Sequence, residues 1–390
     1  MKKLKYLFTK MVPVCIKLLL AHILICCGFG RSKDKIWLIS ERGTDARDNG
    51  FAFFRYLKKQ HPHIACSYVI QSSSADYVKV AQVGDTVNRG SIKHYVLLLR
   101  AECLISSHIM GYAPEAEVFQ ILQAKHLFRF PGKQIFLQHG IIKDDIEGLK
   151  YPNVAPDLFI CGALAEYHYI RDHYRHPEGV VHFTGLARYD FLDNREVKPQ
   201  ILLMPTWRKW LNSFSDEQFL KSDYYKVYSD LLSSVELWKW LKQHEFNLVF
   251  YPHYEMQKFV HLFEKYKNDN IHIARFENSD VQTLLKQSQF LVTDYSSVYF
   301  DFAYMKKPIL FYQFDQDRFF AEHYQKGYFE EAQFGEIIVK HNELVSKILE
   351  KFDGETFVNS FIDAQTAFFA EVSSGCCDRI FDTIRGLLDE

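Results

Sequence analysis

The stretch Phe290-Leu-Val-Thr-Asp-Tyr-Ser-Ser-Val-Tyr-Phe-Asp-Phe302 changes character twice. Phe290, Leu291 and Val292 read as a buried strand. The run then breaks into Thr293, Asp294, Tyr295, Ser296 and Ser297, and resumes with Val298, Phe302 and Met305 at helical spacing. A strand that ends in hydroxyls and opens a helix is suited to an anion. The first N–H groups of a helix lack internal partners, and the helix dipole favours negative charge there. Ser296 or Ser297 either caps those N–H groups, as serine ordinarily does, or donates to a phosphate.

The same alternation extends outward in both directions. Strand candidates are Ile36–Ser40, Ser67–Ile70, Cys103–Ser107, Gln134–Gln138, Asp157–Cys161 and Val180–Thr184. A second series is Ile201–Pro205, Asn247–Tyr251, Ile271–Ala274, Phe290–Thr293 and Ile309–Tyr312. Helical stretches such as Ala163–Tyr174, Asp216–Leu241, Val281–Gln287 and Ser296–Met305 lie between them. This is the pattern of βαβ units and parallel sheets. The polar run Asp193–Gln200 divides the series. The expected architecture is α/β, with two doubly wound Rossmann-like domains facing a cleft. Residues 31–195 form the first and 196–390 the second, with the last helix returning to the first domain. In open α/β sheets, ligands bind beyond the carboxyl ends of strands. Polar residues recur at those ends here: His108, His139-Gly140, Gly185 with Arg188, Thr206-Trp-Arg-Lys209, Pro252-His253, and Asp294 with its serines.

Composition narrows the function. The 390-residue chain is 48% apolar with a net charge of -1, which gives full cores and no global basic field for nucleic acid. Its eight cysteines form no C-x-x-C pair, and several sit in apolar runs. They read as small buried hydrophobes in a reducing compartment. The first thirty residues carry Lys2, Lys3, Lys5 and Lys10 and then a mostly apolar run, Met11–Gly30, interrupted by Lys17. A spanning helix, a secretory signal and a buried first helix are alternatives. The preferred reading is a segment lying on the cytoplasmic membrane face, lysines toward anionic lipid.

His139 on a strand-end loop is a candidate general base, and Gly140 lets the backbone turn tightly beside it. The plainer alternative is a histidine bonding a loop carbonyl. Lys143 follows at once as a possible source of charge. His253 is a candidate donor to a phosphoryl oxygen, or acid to a leaving group. Arg208 suits bidentate phosphate contact, with Thr206 two residues before it. No metal constellation, Walker loop or G-x-G-x-x-G is present. The chemistry left is metal-free transfer from a diphosphate donor, the leaving phosphate held by helix termini, hydroxyls, histidine and arginine.

The ordered set Leu137-Gln-His-Gly140, Thr184-Gly-Leu-Ala-Arg-Tyr-Asp190, Met204-Pro-Thr-Trp-Arg208, Tyr251-Pro-His253 and Val292-Thr-Asp-Tyr-Ser-Ser-Val-Tyr-Phe-Asp301 resembles the CDP-glycerol glycerophosphotransferase family of teichoic acid and capsule assembly. Gly375-Cys-Cys-Asp-Arg379 resembles its late Gly…Arg element. The resemblance implies a glycosyltransferase-B type fold, peripheral attachment to the membrane and transfer of a polyol phosphate from a CDP-polyol, with no cofactor. His139 would be the base that deprotonates the acceptor hydroxyl, and His253 would contact the donor phosphates. Thr293, Asp294, Ser296, Ser297 and Asp301 would belong to the donor site, with Arg208 and Thr206. Gly140, Lys143, Gly185 and Arg188 would line the acceptor side. Gln138 stands where many members have Trp, and the short N-terminal segment looks closer in layout to single-addition members. The expected acceptor is a lipid-linked saccharide or growing cell-surface polymer. The rivals are a nucleotide-sugar glycosyltransferase of the same fold and a non-catalytic scaffold of a polymer-assembly complex.

Overall fold

The structure, a computed structural model, describes residues 7–29, 35–323, 325–372 and 374–389. Lys2, Lys3 and Lys5, the basic start of the expected membrane segment, lie outside the described residues. The chain forms two compact units. One comprises Met1–His139, Gly148–Phe191 and Val372–Glu390, the other Gly140–Glu147 and Leu192–Glu371.

The first unit holds a sheet of seven parallel strands, in the order β3-β2-β1-β4-β5-β6-β7. These are β1 (Ile36–Ser40), β2 (Cys66–Ile70), β3 (Thr86–Asn88), β4 (Ala101–Ser106), β5 (Lys133–Phe136), β6 (Leu158–Cys161) and β7 (Val181–Phe183). Strand side chains alternate between faces, so both faces need cover. Trp37 and Ile39 of β1 enter a core with Phe53, Phe54 and Leu57 of helix Asn49–Gln60 and with Ile380 and Ile384 of helix Cys376–Asp389. Leu38, between them, packs on the other face with Val69, Leu104, Tyr95 and Phe119.

The second unit holds six parallel strands, in the order β10-β9-β8-β11-β12-β13. They are β8 (Gln200–Leu203), β9 (Asn247–Phe250), β10 (Ile271–Ile273), β11 (Phe290–Thr293), β12 (Ile309–Tyr312) and β13 (Gly335–Ile338). Ile201, Leu203, Phe250, Phe290 and Val292 share one apolar cluster with Tyr228, Phe259 and Phe263. Both sheets are Rossmann-like, as the alternation predicts. Two edge strands escape the sequence reading, because Thr86-Val-Asn88 and Gly335-Glu-Ile-Ile338 carry little apolar signal. The long helix expected over Asp216–Leu241 is three helices, Asp216–Phe219, Asp223–Leu232 and Val235–Gln243. Ser222 and Ser234 restart it, their hydroxyls accepting from the N–H groups of Tyr225 and Leu237.

The N-terminal helix Val12–Cys26 packs Val14 and Ala21 into the Leu38 face of the first unit. Lys17 does not face outward. Its Nζ donates to the Gly90 carbonyl at 2.7 Å, and Lys10 pairs with Glu115 at 2.9 Å. Val12, Ile16, Leu19, Leu20 and Ile23 are the large apolar residues this helix leaves exposed. Cys66, Cys103, Cys161, Cys376 and Cys377 are buried, while Cys15, Cys26 and Cys27 are exposed.

The C-terminal helix is fastened by the motif that ends the first domain. Asp190 accepts from the N–H groups of Gly375 (2.9 Å), Cys376 (2.9 Å) and Cys377 (2.7 Å), and Arg379 Nε donates to the Thr184 carbonyl at 2.8 Å. Gly185 has φ +79°, and a Cβ there would lie 2.5 Å from Cys376 Sγ. Its place is thus set by close packing of the returning segment, which corrects its assignment to the acceptor side. Gly185→Ala is expected to cost about 1–3 kcal/mol through positive φ and overpacking together. A urea titration checks this by a lower midpoint; an unchanged midpoint counts against the packing role.

Candidate functional site

In the seven-stranded sheet the strand order reverses between β1 and β4, which opens a crevice at their carboxyl ends. Arg42 follows β1, His108 follows β4 and His139 follows β5. The His108 and His139 rings stack with centroids 5.0 Å apart. Arg42 Nε donates to His108 Nε2 at 3.1 Å, and Ser107 Oγ lies 3.2 Å from His108 Nδ1. Nε2 therefore accepts, and the neutral His108 ring carries its proton on Nδ1. Burial, then His139 and Arg42, hold the His108 pKa well below its ordinary value.

His139 projects from a tightly built turn. The left-handed conformation falls on Gln138 (φ +60°), two residues before Gly140, the glycine expected to allow a tight turn. Gln138 is held there by burial. Asn49 Nδ2 donates to its carbonyl at 2.8 Å, and its own side-chain amide donates to the Ile160 carbonyl. Arg188 NH1 donates to the His139 carbonyl at 3.0 Å and pairs with Asp48 at 2.7 Å. Arg188, buried by these contacts, positions the histidine turn. His139 is exposed as a residue, and its ring makes no hydrogen bond among the described residues, so it is not the loop-bonding histidine of the plainer reading. Desolvation, then Arg42 and Arg188, lowers its pKa to about 4. A neutral imidazole with an accessible nitrogen is free to take a proton at ordinary pH.

In the six-stranded sheet the order reverses between β8 and β11, and the Met204–Lys209 and Asp294–Ser297 loops follow those strands. Their geometry centres on Arg208, which is fully buried. Its guanidinium pairs with Asp294 at 2.9 Å and with Asp315 at 2.7 Å, and Tyr224, Tyr295, Phe314 and Phe319 surround it. Burial opposes the charge, but the two carboxylates outweigh it and hold the guanidinium protonated. Asp294 Oδ1 accepts from the N–H groups of Thr206 (2.8 Å) and Tyr295 (2.6 Å). The Thr293 hydroxyl donates to the Met204 carbonyl at 2.7 Å. Asp301 is buried and accepts from Gln282 at 3.3 Å.

These contacts correct several assignments. Arg208, Asp294, Thr293 and Asp301 are buried and spend their polar groups on protein, so they shape the Met204–Lys209 and Asp294–Ser297 loops from beneath. Lys143 is likewise buried, between Asp144 (2.9 Å) and Glu331 (2.9 Å), and anchors its loop instead of offering charge to a ligand. Gly140 is buried and outside the left-handed region. Four of the predicted site groups differ in setting from these. Ser296 and Ser297 are partly exposed, and Ser297 holds the N-cap position without a side-chain cap bond. The Thr206 hydroxyl is buried without a hydrogen-bond partner. His253 is half-buried at the end of β9, its Nδ1 accepting from the Glu255 N–H at 3.2 Å, which leaves the proton of the neutral ring on Nε2. Arg42 as a site residue was missed. It sits at the end of the central strand β1, but strand order is invisible in a single sequence. Among the described residues no group of three His, Cys, Asp or Glu side chains is placed to hold a metal ion.

Removing Arg208 would leave two carboxylates facing each other in the core. Arg208→Ala is therefore expected to cost about 3–5 kcal/mol of stability, read as a lower unfolding midpoint. A variant of native stability would refute its structural role. The second expectation is a pH profile. A histidine with a depressed pKa stays deprotonated until pH falls through that value. Activity limited by His139 should thus persist well below pH 6 and fail toward about pH 4. Arg42→Met removes one lowering charge, so the acid limb should move to higher pH. An acid limb unmoved by this change would disconnect Arg42 from the base.

The chain matches the CDP-Glycerol:Poly(glycerophosphate) glycerophosphotransferase family over residues 25–385. It is 29% identical over 367 residues to the minor teichoic acid biosynthesis protein GgaB of Bacillus subtilis, covering 90% of this chain and 40% of that protein. It is 30% identical over 170 residues to a teichoic acid poly(glycerol phosphate) polymerase of Bacillus spizizenii, covering 43% of this chain and 40% of the relative. The chain thus spans about two fifths of the length of these curated relatives. Among solved structures, the wall teichoic acid polymerase TagF aligns at TM-score 0.63 and 19% identity, covering 97% of this chain and 98% of that one. The S. aureus MnaA-UDP complex aligns at TM-score 0.56 and 13% identity, covering 91% and 97%. These likenesses agree with a glycosyltransferase-B type fold. With the family match running through both sheets and every motif quoted above, the chain belongs to the CDP-glycerol:poly(glycerophosphate) glycerophosphotransferase family.

Proposed function

We propose that the protein transfers glycerol phosphate, or another polyol phosphate, from a CDP-polyol to a hydroxyl of a lipid-linked or polymeric cell-surface glycan. The observation that carries this reading is His139, a neutral, exposed imidazole without a hydrogen-bond partner among the described residues, on a turn fixed by Arg188 and Gln138. His139 takes the proton of the acceptor hydroxyl. The acceptor oxygen bonds to the distal phosphorus of the donor, the bond from that phosphorus to the bridging oxygen breaks, and CMP leaves. Ser296, Ser297, Thr206 and the Nε2–H of His253 supply donors for the phosphoryl oxygens. The proposal includes no metal or cofactor, and the donor phosphates are met by protein groups.

Purified protein offered CDP-glycerol, CDP-ribitol and UDP-sugars with membrane lipid extract should release CMP from a CDP-polyol. Release of UDP alone would favour the glycosyltransferase, and turnover of no nucleotide the scaffold. Turnover should survive excess EDTA; loss restored by Mg²⁺ would refute the metal-free route. His139→Ala should lower the rate about 10²–10⁴-fold with CDP-glycerol affinity retained. A near-normal rate would remove His139 from the mechanism.

We further propose peripheral attachment to the cytoplasmic face of the membrane through the helix Val12–Cys26. Lys10 and Lys17 are engaged by the domain, so the outward stripe of Val12, Ile16, Leu19, Leu20 and Ile23 is apolar without interruption by charge. Such a stripe suits partial burial in a lipid interface. Liposome flotation should fall sharply for Leu19→Glu/Leu20→Glu, and only modestly when salt is raised over the wild type. Flotation indifferent to this pair would refute the contact.

A further inference from the structure

A cavity of about 550 Å³ opens in the seven-stranded unit beside His108. Its lining comes from Phe136 of β5, the end of helix Ala116–Ala124 and the segment 151–156. The volume lies within the range of about 300–1,000 Å³ usual for small-ligand sites. The chemistry of the lining is restrictive, because it contains no Asp, Glu, Lys or Arg. The His108 ring, whose pKa is held well below the usual value, adds no charge at neutral pH.

Three kinds of occupant can be weighed against that lining. A diphosphate or a polyol phosphate would give up its hydration without finding a lysine or arginine, His108 and His126 being the basic groups of the lining. A bare hydrocarbon chain would cover the side-chain amides of Gln120 and Gln123 and leave their hydrogen-bonding capacity unused. A sugar ring has C–H faces for Tyr151 and Phe136 and hydroxyls for amides. Gln134 is set for that use. Its Oε1 accepts from the Tyr112 hydroxyl at 2.9 Å, which fixes the amide and leaves the NH2 group as donor.

We propose that this pocket seats a neutral glycosyl unit of the acceptor, delivering its hydroxyl toward His139 past the His108 ring that stacks on it. The proposal rests on the transfer reaction above and names the acceptor it selects: a sugar-bearing terminus over one made of polyol phosphate alone. The link is His108, which lines the cavity and stacks on His139 at a ring separation of 5.0 Å.

The test uses the full chain and Ala124→Arg, which places a long charged side chain at the pocket mouth from an exposed helix end. Ligand-observed NMR without donor should show methyl N-acetylglucosaminide or methyl glucoside contacting the wild type, with the signal lost in Ala124→Arg. In turnover, the variant should raise KM for sugar-terminated acceptors at least tenfold and leave KM for a poly(glycerol phosphate) acceptor unchanged, with CDP-glycerol affinity by calorimetry held. Glycoside signals equal in both proteins would overturn the proposal, as would a KM rise of the same size for both acceptors. If CDP-polyols neither bind nor turn over yet the glycoside contact is lost in the variant, the reaction assignment fails and the pocket assignment stands.

Discussion

In a parallel sheet every strand ends on the same edge, and helices cover both faces. Loops that carry polar groups therefore gather along one rim, and the crevice where strand order reverses is the deepest part of it. Both sheets of this protein obey that constraint. β1 and β4 deliver Arg42 and His108 to one crevice, with His139 arriving from β5 beside them. β8 and β11 deliver the Thr206–Arg208 and Asp294–Ser297 loops to the other. The chemistry depends on this sorting, because residues far apart in sequence become neighbours only through strand order.

Charge is used differently in the two crevices. In the six-stranded sheet the full charge of Arg208 is buried and matched by two carboxylates, one on each side of the β11–β12 crossover. A buried ion triad is a poor source of net stability, but it is costly to break and has one geometry. It therefore ties the loops after β8, β11 and β12 together beneath the partly exposed Ser296 and Ser297. In the seven-stranded sheet the cations act at a short distance on imidazoles. Arg42 and Arg188 oppose a second positive charge, and each also makes a directed bond, one to His108 and one to the His139 carbonyl. The same two residues thus act on both the position and the protonation of the His108–His139 pair.

Much of this was legible in the sequence. The central strands could be read because each is buried on both faces and so carries an unbroken apolar run. The edge strands Thr86–Asn88 and Gly335–Ile338 could not, since an edge needs less apolar cover. His139, His253 and the serines were visible as polar residues at strand ends. What a sequence does not state is whether a polar group faces a ligand or a neighbour. Arg208 and Lys143 look alike on paper, as cations on strand-end loops, yet each is consumed by a carboxylate more than a hundred residues away, Asp315 and Glu331. Gly140 suggests a tight turn by composition, but the left-handed residue is Gln138, held there by tertiary hydrogen bonds from Asn49 and to Ile160.

The Thr184–Asp190 motif shows how those long-range contacts economise on residues. Thr184 accepts from Arg379 through its carbonyl, Gly185 admits Cys376, Arg188 holds the base turn, and Asp190 caps the returning helix. Each of these contacts fixes backbone, either at the His139 turn or at the start of the returning helix. The cavity beside His108, lined without Asp, Glu, Lys or Arg, is a surface next to that turn that these contacts leave open.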